Sequence, residues 1–216
     1  MIVLINPNST ETMTEAMRMT AQAAVPDIRI EGWTSHDGPP AIQGREDGDA
    51  AVPPLLKLVS TASKQGAAAI IIGCFDDTGL EQARDLADCP VIGIGQAGYH
   101  MAALLGRRFS VVTTLAVSVP ILEENVRAYG LERSLGRVRA SGVPVLELER
   151  EPQSAMQRVI EEIVRAENED NVDSVVLGCG GMVHLPQLVL ERTGLLPIDG
   201  VRAAALAARC VTEPRR

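Results

Sequence analysis

Two cysteines stand at the ends of matching segments. Cys74 closes "AAAIIIGC" and Cys179 closes "SVVLGC". Each thiol follows an apolar run and a glycine, and each precedes a polar or glycine-rich turn. A cysteine in a strand ordinarily packs as a small hydrophobe. A thiol just past a strand can instead meet the unpaired N–H groups that open the next helix, where its pKa is expected to fall. The same placement occurs twice, at an offset of 105 residues, which favours chemistry over packing. Two opposed thiols can invert a carbon centre. One thiolate removes a proton and the other thiol returns one on the opposite face. The intermediate is an enolate-like anion that nearby backbone N–H groups would stabilise. Disulfide exchange fits less well, because no C-x-x-C pair occurs among Cys74, Cys89, Cys179 and Cys210. Asp76 and Asp77 follow the first thiol directly. They are expected to accept backbone N–H groups, to cap the helix starting near Gly79, and to hold Cys74 back from permanent ionisation.

Other chemistries have little to work with. Lys57 and Lys64 are the only lysines and fall on one expected helix, so no Schiff-base lysine stands out. "GIGQAG" (93–98) nearly matches a dinucleotide-binding loop, yet no acidic residue in a following strand supports ribose binding. His36, His100 and His184 lack metal-ligand spacing, and His184 reads as a helix-end or solvent residue. Neither a cofactor nor a metal is expected. Asn6 and Asn8 end the first strand, with Asn8 and Glu11 resembling a capping box. Asn8 can also serve substrate. Thr113 and Thr114 hold the matching place in the second half, and paired amides and hydroxyls suit a neutral polar ligand.

These residues need elements to position them. Strands are expected at 2–6, 28–33, 67–72, 90–94, 109–115, 172–178 and "LPIDG". Helices are expected after 8, after the prolines of "AAVPPLLKLVSTASKQG", and at 79–88, 96–106, 118–131, 154–170, 185–194 and 201–211. Such alternation implies an α/β fold with parallel sheets flanked by helices. The segment 109–113 answers 2–6 at an offset of 107, close to the offset of the cysteines, so the chain reads as a duplication. Two similar lobes related by a pseudo-two-fold axis follow: 1–95 completed by a C-terminal helix at 200–216, and 96–199. The active site would lie in the cleft between them, beyond the carboxyl ends of the strands. The 216 residues are 46 % apolar but only 2 % aromatic, and the net charge is −8. Nucleic acid is therefore not an expected partner. "MIVLINPN" enters a strand directly and no apolar stretch could span a bilayer, so a soluble cytoplasmic chain without membrane association is expected.

The residues also resemble a known family. "INPNST", "GPPAIQG", "GCFDDTGL", "PVIGIGQAGYHMAALLGRRFSVVTTL", "LGCGGM" and "IDGV" run in order through nearly the whole chain. Together they resemble the aspartate/glutamate racemase superfamily, in its hydantoin and allantoin racemase branch. The resemblance implies cofactor-independent racemisation at carbon-5 of a 5-substituted hydantoin or similar cyclic ureide, with Cys74 and Cys179 catalytic. It implies that Pro40, Ile42 and Gln43 line the pocket beside Gly73. It further implies that the amides of Phe75, Asp76, Gly180 and Gly181 hold ring carbonyls, and that the protein is a homo-oligomer. Amino-acid racemases of the superfamily carry Cys-Asn-Thr and Cys-Thr-His, whereas this chain has Cys-Phe-Asp and Cys-Gly-Gly. Hydantoin racemases commonly show Gly-Asp-Pro or Ser-Asp-Pro after Cys-Phe; here Asp-Asp-Thr follows. Alternatives are an amino-acid racemase, an arylmalonate decarboxylase or maleate isomerase type, or a non-catalytic ureide-binding protein.

Overall fold

The apolar runs become strands whose interior members are buried on both faces, as parallel pairing beneath helices requires. A computed structural model describes residues 1–105 and 108–212. The strands are β1 (Ile2–Asn6), β2 (Ile30–Thr34), β3 (Ala69–Ile72), β4 (Val91–Gly93), β5 (Phe109–Thr113), β6 (Leu135–Ala140), β7 (Ser174–Gly178) and β8 (Leu196–Asp199). The helices are α1 (Glu11–Ala24), α2 (Arg45–Lys64), α3 (Leu80–Leu86), α4 (Ile94–Leu104), α5 (Val119–Ala128), α6 (Glu147–Arg150), α7 (Pro152–Glu169), α8 (Pro186–Arg192) and α9 (Gly200–Thr212). The strands form two parallel sheets of four, ordered β2-β1-β3-β4 and β6-β5-β7-β8. The second order repeats the first, strand for strand. In each sheet the chain reverses its direction of travel between the two central strands, β1 and β3 or β5 and β7. These are the switch points where open α/β sheets bind ligands.

A shared layer of helices joins the sheets. Leu4, Met17 and Ile71 from the first half pack in one continuous core with Tyr99, Phe109, Val111 and Val176. α4 follows β4 but packs on β7 and β8 of the other sheet, and α9 follows β8 but packs on β3 and β4. The two helices also pack on each other. The alanines 203, 204, 205 and 208 on the buried face of α9 permit this close approach. The outer face of the first sheet is covered by α2 and α3 over Val3, Ile5, Ile70 and Ile72. That of the second is covered by α7 and α8 over Val112, Val175 and Leu177.

Several expectations are corrected. The second helix does not wait for its prolines. It begins at Arg45, with Pro53 and Pro54 inside it. Proline removes a bond to the carbonyl four residues back, but Asp49 and Ala50 are exposed, so water can serve those carbonyls. Asn8 and Glu11 form no capping box. The cap position is Thr10, without a side-chain cap, and Asn8 Oδ1 instead accepts the Thr10 amide at 2.9 Å. β6 was not expected at all. Its sequence, "LGRVRA", carries charge where an apolar residue would be looked for, because Arg139 is buried in an ion cluster. Of the expected helices, Gly106 and the part of 200–216 after Thr212 lie outside the described residues.

That ion cluster fastens β6 to the end of α7. Arg139 Nε donates to Asp170 Oδ2 at 2.7 Å, and its Nη2 donates to Oδ1 at 2.6 Å. Ser110 Oγ donates to Asp170 Oδ2 at 2.6 Å, and Arg139 also reaches Glu162 at 3.0 Å. Burial alone would raise the Asp170 carboxyl, but its bonds to Arg139 and Ser110 outweigh burial and hold it below its usual range. A lowered carboxylate contributes stability above its unfolded pKa, and the contribution is lost as pH falls through the folded value. Arg139→Ala, which leaves Asp170 buried and unpaired, should cost about 3–5 kcal/mol in urea unfolding at neutral pH. The loss should shrink toward pH 3. A loss under about 1 kcal/mol, typical of a solvated surface pair, would show the cluster to be dispensable.

Candidate active site

Both switch points face one cleft. Asn8 arrives from the end of β1, Gly73 to Asp76 from the end of β3, Thr113 and Thr114 from β5, and Gly178 to Gly180 from β7. With Met13, Ile42, Ser118 and Val145 they line one small cleft, the kind of concave site that takes a small molecule. Cys74 and Cys179 are half-buried on the two sides of this cleft.

The two thiols have matching surroundings. The carbonyl of Cys74 accepts the Asp77 amide at 3.1 Å, and that of Cys179 accepts the Met182 amide at 3.1 Å. Each sulfur meets the amide two residues on. Gly181 N donates to Cys179 Sγ at 3.4 Å, and the Asp76 amide lies close enough to Cys74 to favour its charged form. Cys74 Sγ also lies 3.4 Å from Thr78 Oγ1. The turns touch one another: a Cβ on Gly180 would lie 2.7 Å from Met17 Sδ and 3.3 Å from the Gly73 carbonyl oxygen. A side chain at Gly180 would push Met17 aside and crowd the Gly73 carbonyl.

The expectation that helix N-termini would lower the thiol pKa values is not met. A short 3-10 turn (Gly180–Met182) follows Cys179, and α3 starts six residues beyond Cys74. Burial dominates instead. It pushes the Cys179 thiol up to about 12, with Asp76 and Glu149 adding to the rise and the Gly181 amide opposing it. Burial raises Cys74 further still, with Asp76 as the largest charge acting on it. The two thiols also act on one another, since Cys179 contributes to the rise at Cys74.

The two aspartates divide their work. Asp77 caps a helix, but α4 rather than α3. Its Oδ1 accepts the Gly95 amide at 3.0 Å and its Oδ2 the Gln96 amide at 2.7 Å, while Tyr129 Oη donates to Oδ2 at 2.9 Å. Burial raises it to about 7 against those three donors. Asp76 lies in the cleft itself. Ser118 Oγ reaches its Oδ2 only at 3.4 Å, and Asn125 Nδ2 holds its backbone carbonyl at 2.9 Å. Burial raises its carboxyl to about 6, with Ser118 opposing.

The remaining polar groups are oriented by their neighbours. Asn8 Oδ1 accepts from Asn6 Nδ2 at 2.8 Å and from the Thr10 amide. Its Nδ2 is thereby turned toward Met13 Sδ, a weak acceptor 3.5 Å away, and remains available to a ligand. Thr113 Oγ1 donates to the Gly178 carbonyl at 2.9 Å. Three of the expected pocket residues stand behind the lining. Pro40 is exposed, and its carbonyl accepts from Thr10 Oγ1 at 2.7 Å. Gln43 Oε1 accepts the Val145 amide at 2.9 Å and so ties the halves together. Gly181 spends its amide on sulfur. Met13, Ser118, Val145 and Gly178 line the cleft without having been expected. Of these, only Gly178 had a sequence signal, as the counterpart of Gly73. His184 is exposed and away from the cleft lining. Among the described residues, no group of three or more His, Cys, Asp or Glu side chains could hold a metal ion, and no helix is long and apolar enough to cross a membrane.

Duplicated α/β halves with paired thiols at facing switch points define a two-lobed α/β fold with one candidate site in the cleft between the sheets. Residues 2–208 match the family model for Asp/Glu/Hydantoin racemase, and the chain belongs to that family. It is an isomerase, a racemase. It is 43 % identical over 211 residues to a hydantoin racemase of Rhizobium meliloti, covering 97 % of this chain and 88 % of that one. Among solved structures it is similar to the allantoin racemase from Klebsiella pneumoniae, with a TM-score of 0.95 and 35 % identity over 99 % of this chain and 88 % of that one. The allantoin racemase of Pseudomonas fluorescens gives 0.94 and 34 %, over 99 % and 91 %.

The cap on α4 accounts for "GIGQAG". A Cβ on Gly95 would fall 2.2 Å from the Phe75 carbonyl oxygen and 2.8 Å from Asp77 Oδ2. The glycine admits the Asp77 carboxylate to the helix N-terminus. Gly95→Ala should therefore destabilise the fold by about 3 kcal/mol or more through overpacking. Because it displaces the Phe75–Asp77 turn, it should also lower turnover in the fraction that stays folded. Unchanged thermal unfolding in this variant would refute the close contact.

Proposed function

We propose that the protein racemises a 5-substituted hydantoin or a related cyclic ureide, such as allantoin, by proton transfer at carbon-5 between Cys74 and Cys179. The observation that carries this reading is the pair of thiols in equivalent turns on the two sides of one small cleft. The names of the relatives support the substrate class.

A substrate carbon between the sulfurs would lose its proton to one thiolate and gain one from the opposite thiol. Exchange of roles runs the reverse reaction. Buried thiols ionise reluctantly, but a thiolate formed there is a strong base, as a weak carbon acid demands. The amides of Gly181 and Asp76 give each sulfur a donor that favours its charged form. Asn8 Nδ2 is placed to bond a ring carbonyl as negative charge develops on it. Asp76 argues against the malonate or maleate chemistries of the superfamily, because a dianion beside its carboxylate would be repelled. With this reading go a cytoplasmic location and a homo-oligomeric assembly, which cell fractionation and light scattering would read. The proposed lobes are 1–95 with the C-terminal helix, and 96–199.

Incubation of one enantiomer of a 5-substituted hydantoin, and of allantoin, in deuterated water should abolish optical rotation and place deuterium at carbon-5. If neither rotation nor isotope content changed for any ureide, the reading would be wrong. Cys74→Ser and Cys179→Ser should each abolish racemisation, with single-face deuterium exchange able to persist; full activity in either would exclude a two-thiol mechanism. Cys89→Ala and Cys210→Ala should keep turnover. The catalysed rate should climb with pH toward the thiol range. Asp76→Asn removes the negative charge that raises both thiols, so the climb should move to lower pH. A pH–rate profile that did not move would assign Asp76 no electrostatic part.

A further inference from the structure

A second cavity adjoins the cleft. It opens between the first turns of α2 and the middle of α5, and Asp76 lines both spaces. Its walls include Gly48 and Val52 from α2 and Ile121 from α5. Its charged groups are Asp49, Asp76, Arg45 and Glu124. Arg45 and Glu124 pair at 2.9 Å and neutralise one another from opposite helices. The cavity is thus left with the negative charge of Asp49 and Asp76.

In a two-base racemisation the breaking and forming C–H bonds point at the two sulfurs. The ring and the substituent must therefore lie in the plane between them. The cleft is lined close about the two thiols, and a longer substituent needs room beyond that lining. The adjoining cavity, which shares Asp76 with the cleft lining, offers it.

Resting on the function proposed above, we infer that the α2–α5 cavity is the subsite for the carbon-5 substituent, and that Asp76, which lines both spaces, selects substituents ending in a cation or hydrogen-bond donor over carboxylates. Ser118 approaches the Asp76 carboxylate only at 3.4 Å, which leaves that group able to accept from a ligand.

Gly48 allows a steric test. A Cβ there would stand 3.7 Å from Thr78 Oγ1, an ordinary contact, and Gly48 lies inside α2, where a side chain favours the helix. The probes are 5-methyl-, 5-(4-aminobutyl)- and 5-(2-carboxyethyl)hydantoin, compared by kcat/KM for racemisation. The wild-type chain should prefer the aminobutyl over the carboxyethyl compound by at least tenfold. Gly48→Leu should lower the ratio of either long substrate to the methyl one by at least tenfold. Ile121→Phe, which narrows the cavity from α5, should lower the same ratio. Asp76→Asn should cut the amine-over-carboxylate preference at least fivefold, with the methyl compound as reference. If Gly48→Leu and Ile121→Phe change all three substrates alike, the cavity is not the subsite. If the preference survives Asp76→Asn, Asp76 is not the selector. Failure of the wild-type chain to racemise any of the three, or allantoin, would instead overturn the function on which this inference rests.

Discussion

The close apposition of two strand-end turns governs this molecule. Gly73 and Gly180 let the turns after β3 and β7 meet with Met17 wedged against both. Only then do thiols from two separate sheets share one cleft. Most of the architecture serves this contact. The exchange of α4 and α9 between the sheets fixes the distance between them, and the small residues of α9 let the layer stay thin. Hydrogen bonds across the halves add orientation, from the Val145 amide to Gln43 and from Asn125 to the Asp76 carbonyl. A duplicated half could not form the cleft alone, because each contributes one thiol and one set of strand ends.

That apposition creates a tension. Enclosing two thiols excludes water, and exclusion of water opposes their ionisation. The burial that positions the sulfurs thus raises both of them, and the carboxylate of Asp76 adds to the effect. The turns answer with one amide donor per sulfur. The balance suits the alternating roles proposed for the two thiols: a permanently ionised thiol could not return a proton, and one whose charged form had no donor would be slow to release one. The symmetry of the two turns matters here, since a racemase must work in both directions.

Much of this was legible in the sequence. The strand-Gly-Cys segments, their offset of 105 residues and the restart at Phe109 point to duplicated α/β halves with thiols at strand ends. Asn8, Ile42, Thr113 and Thr114 were expected in the lining and are there. What was not legible depends on contacts between distant segments. β6 was hidden because Arg139, a charged residue, takes a core position whose partners lie about 30 residues away in Asp170 and Glu169. Met13, Ser118 and Val145 carry no local mark of a site; their place depends on how α1, α5 and the segment before α6 converge. The thiol environment was not legible for a related reason. Helix dipoles follow from sequence order, whereas burial follows from how tightly two sheets are pressed together.

The "GIGQAG" segment shows how one local pattern can serve a different end. Glycines at a strand-to-helix junction let a negative group approach a helix N-terminus, and in nucleotide-binding folds that group belongs to a ligand. Here it is Asp77, supplied by the chain in a left-handed turn at φ 53°. The carboxylate fills the position a phosphate would need, so this N-terminus is closed to nucleotides by the fold itself. The cap also has a positional consequence. Asp77 lies three residues after Cys74, and Tyr129 holds the same carboxylate from just past α5. One buried acid thereby anchors the first thiol turn to α4 and to the second half together. Asp76 and Asp77 are adjacent in sequence yet opposite in use: the second is tied down by three donors, and that leaves the first, held at its backbone, with its carboxylate turned to the cleft.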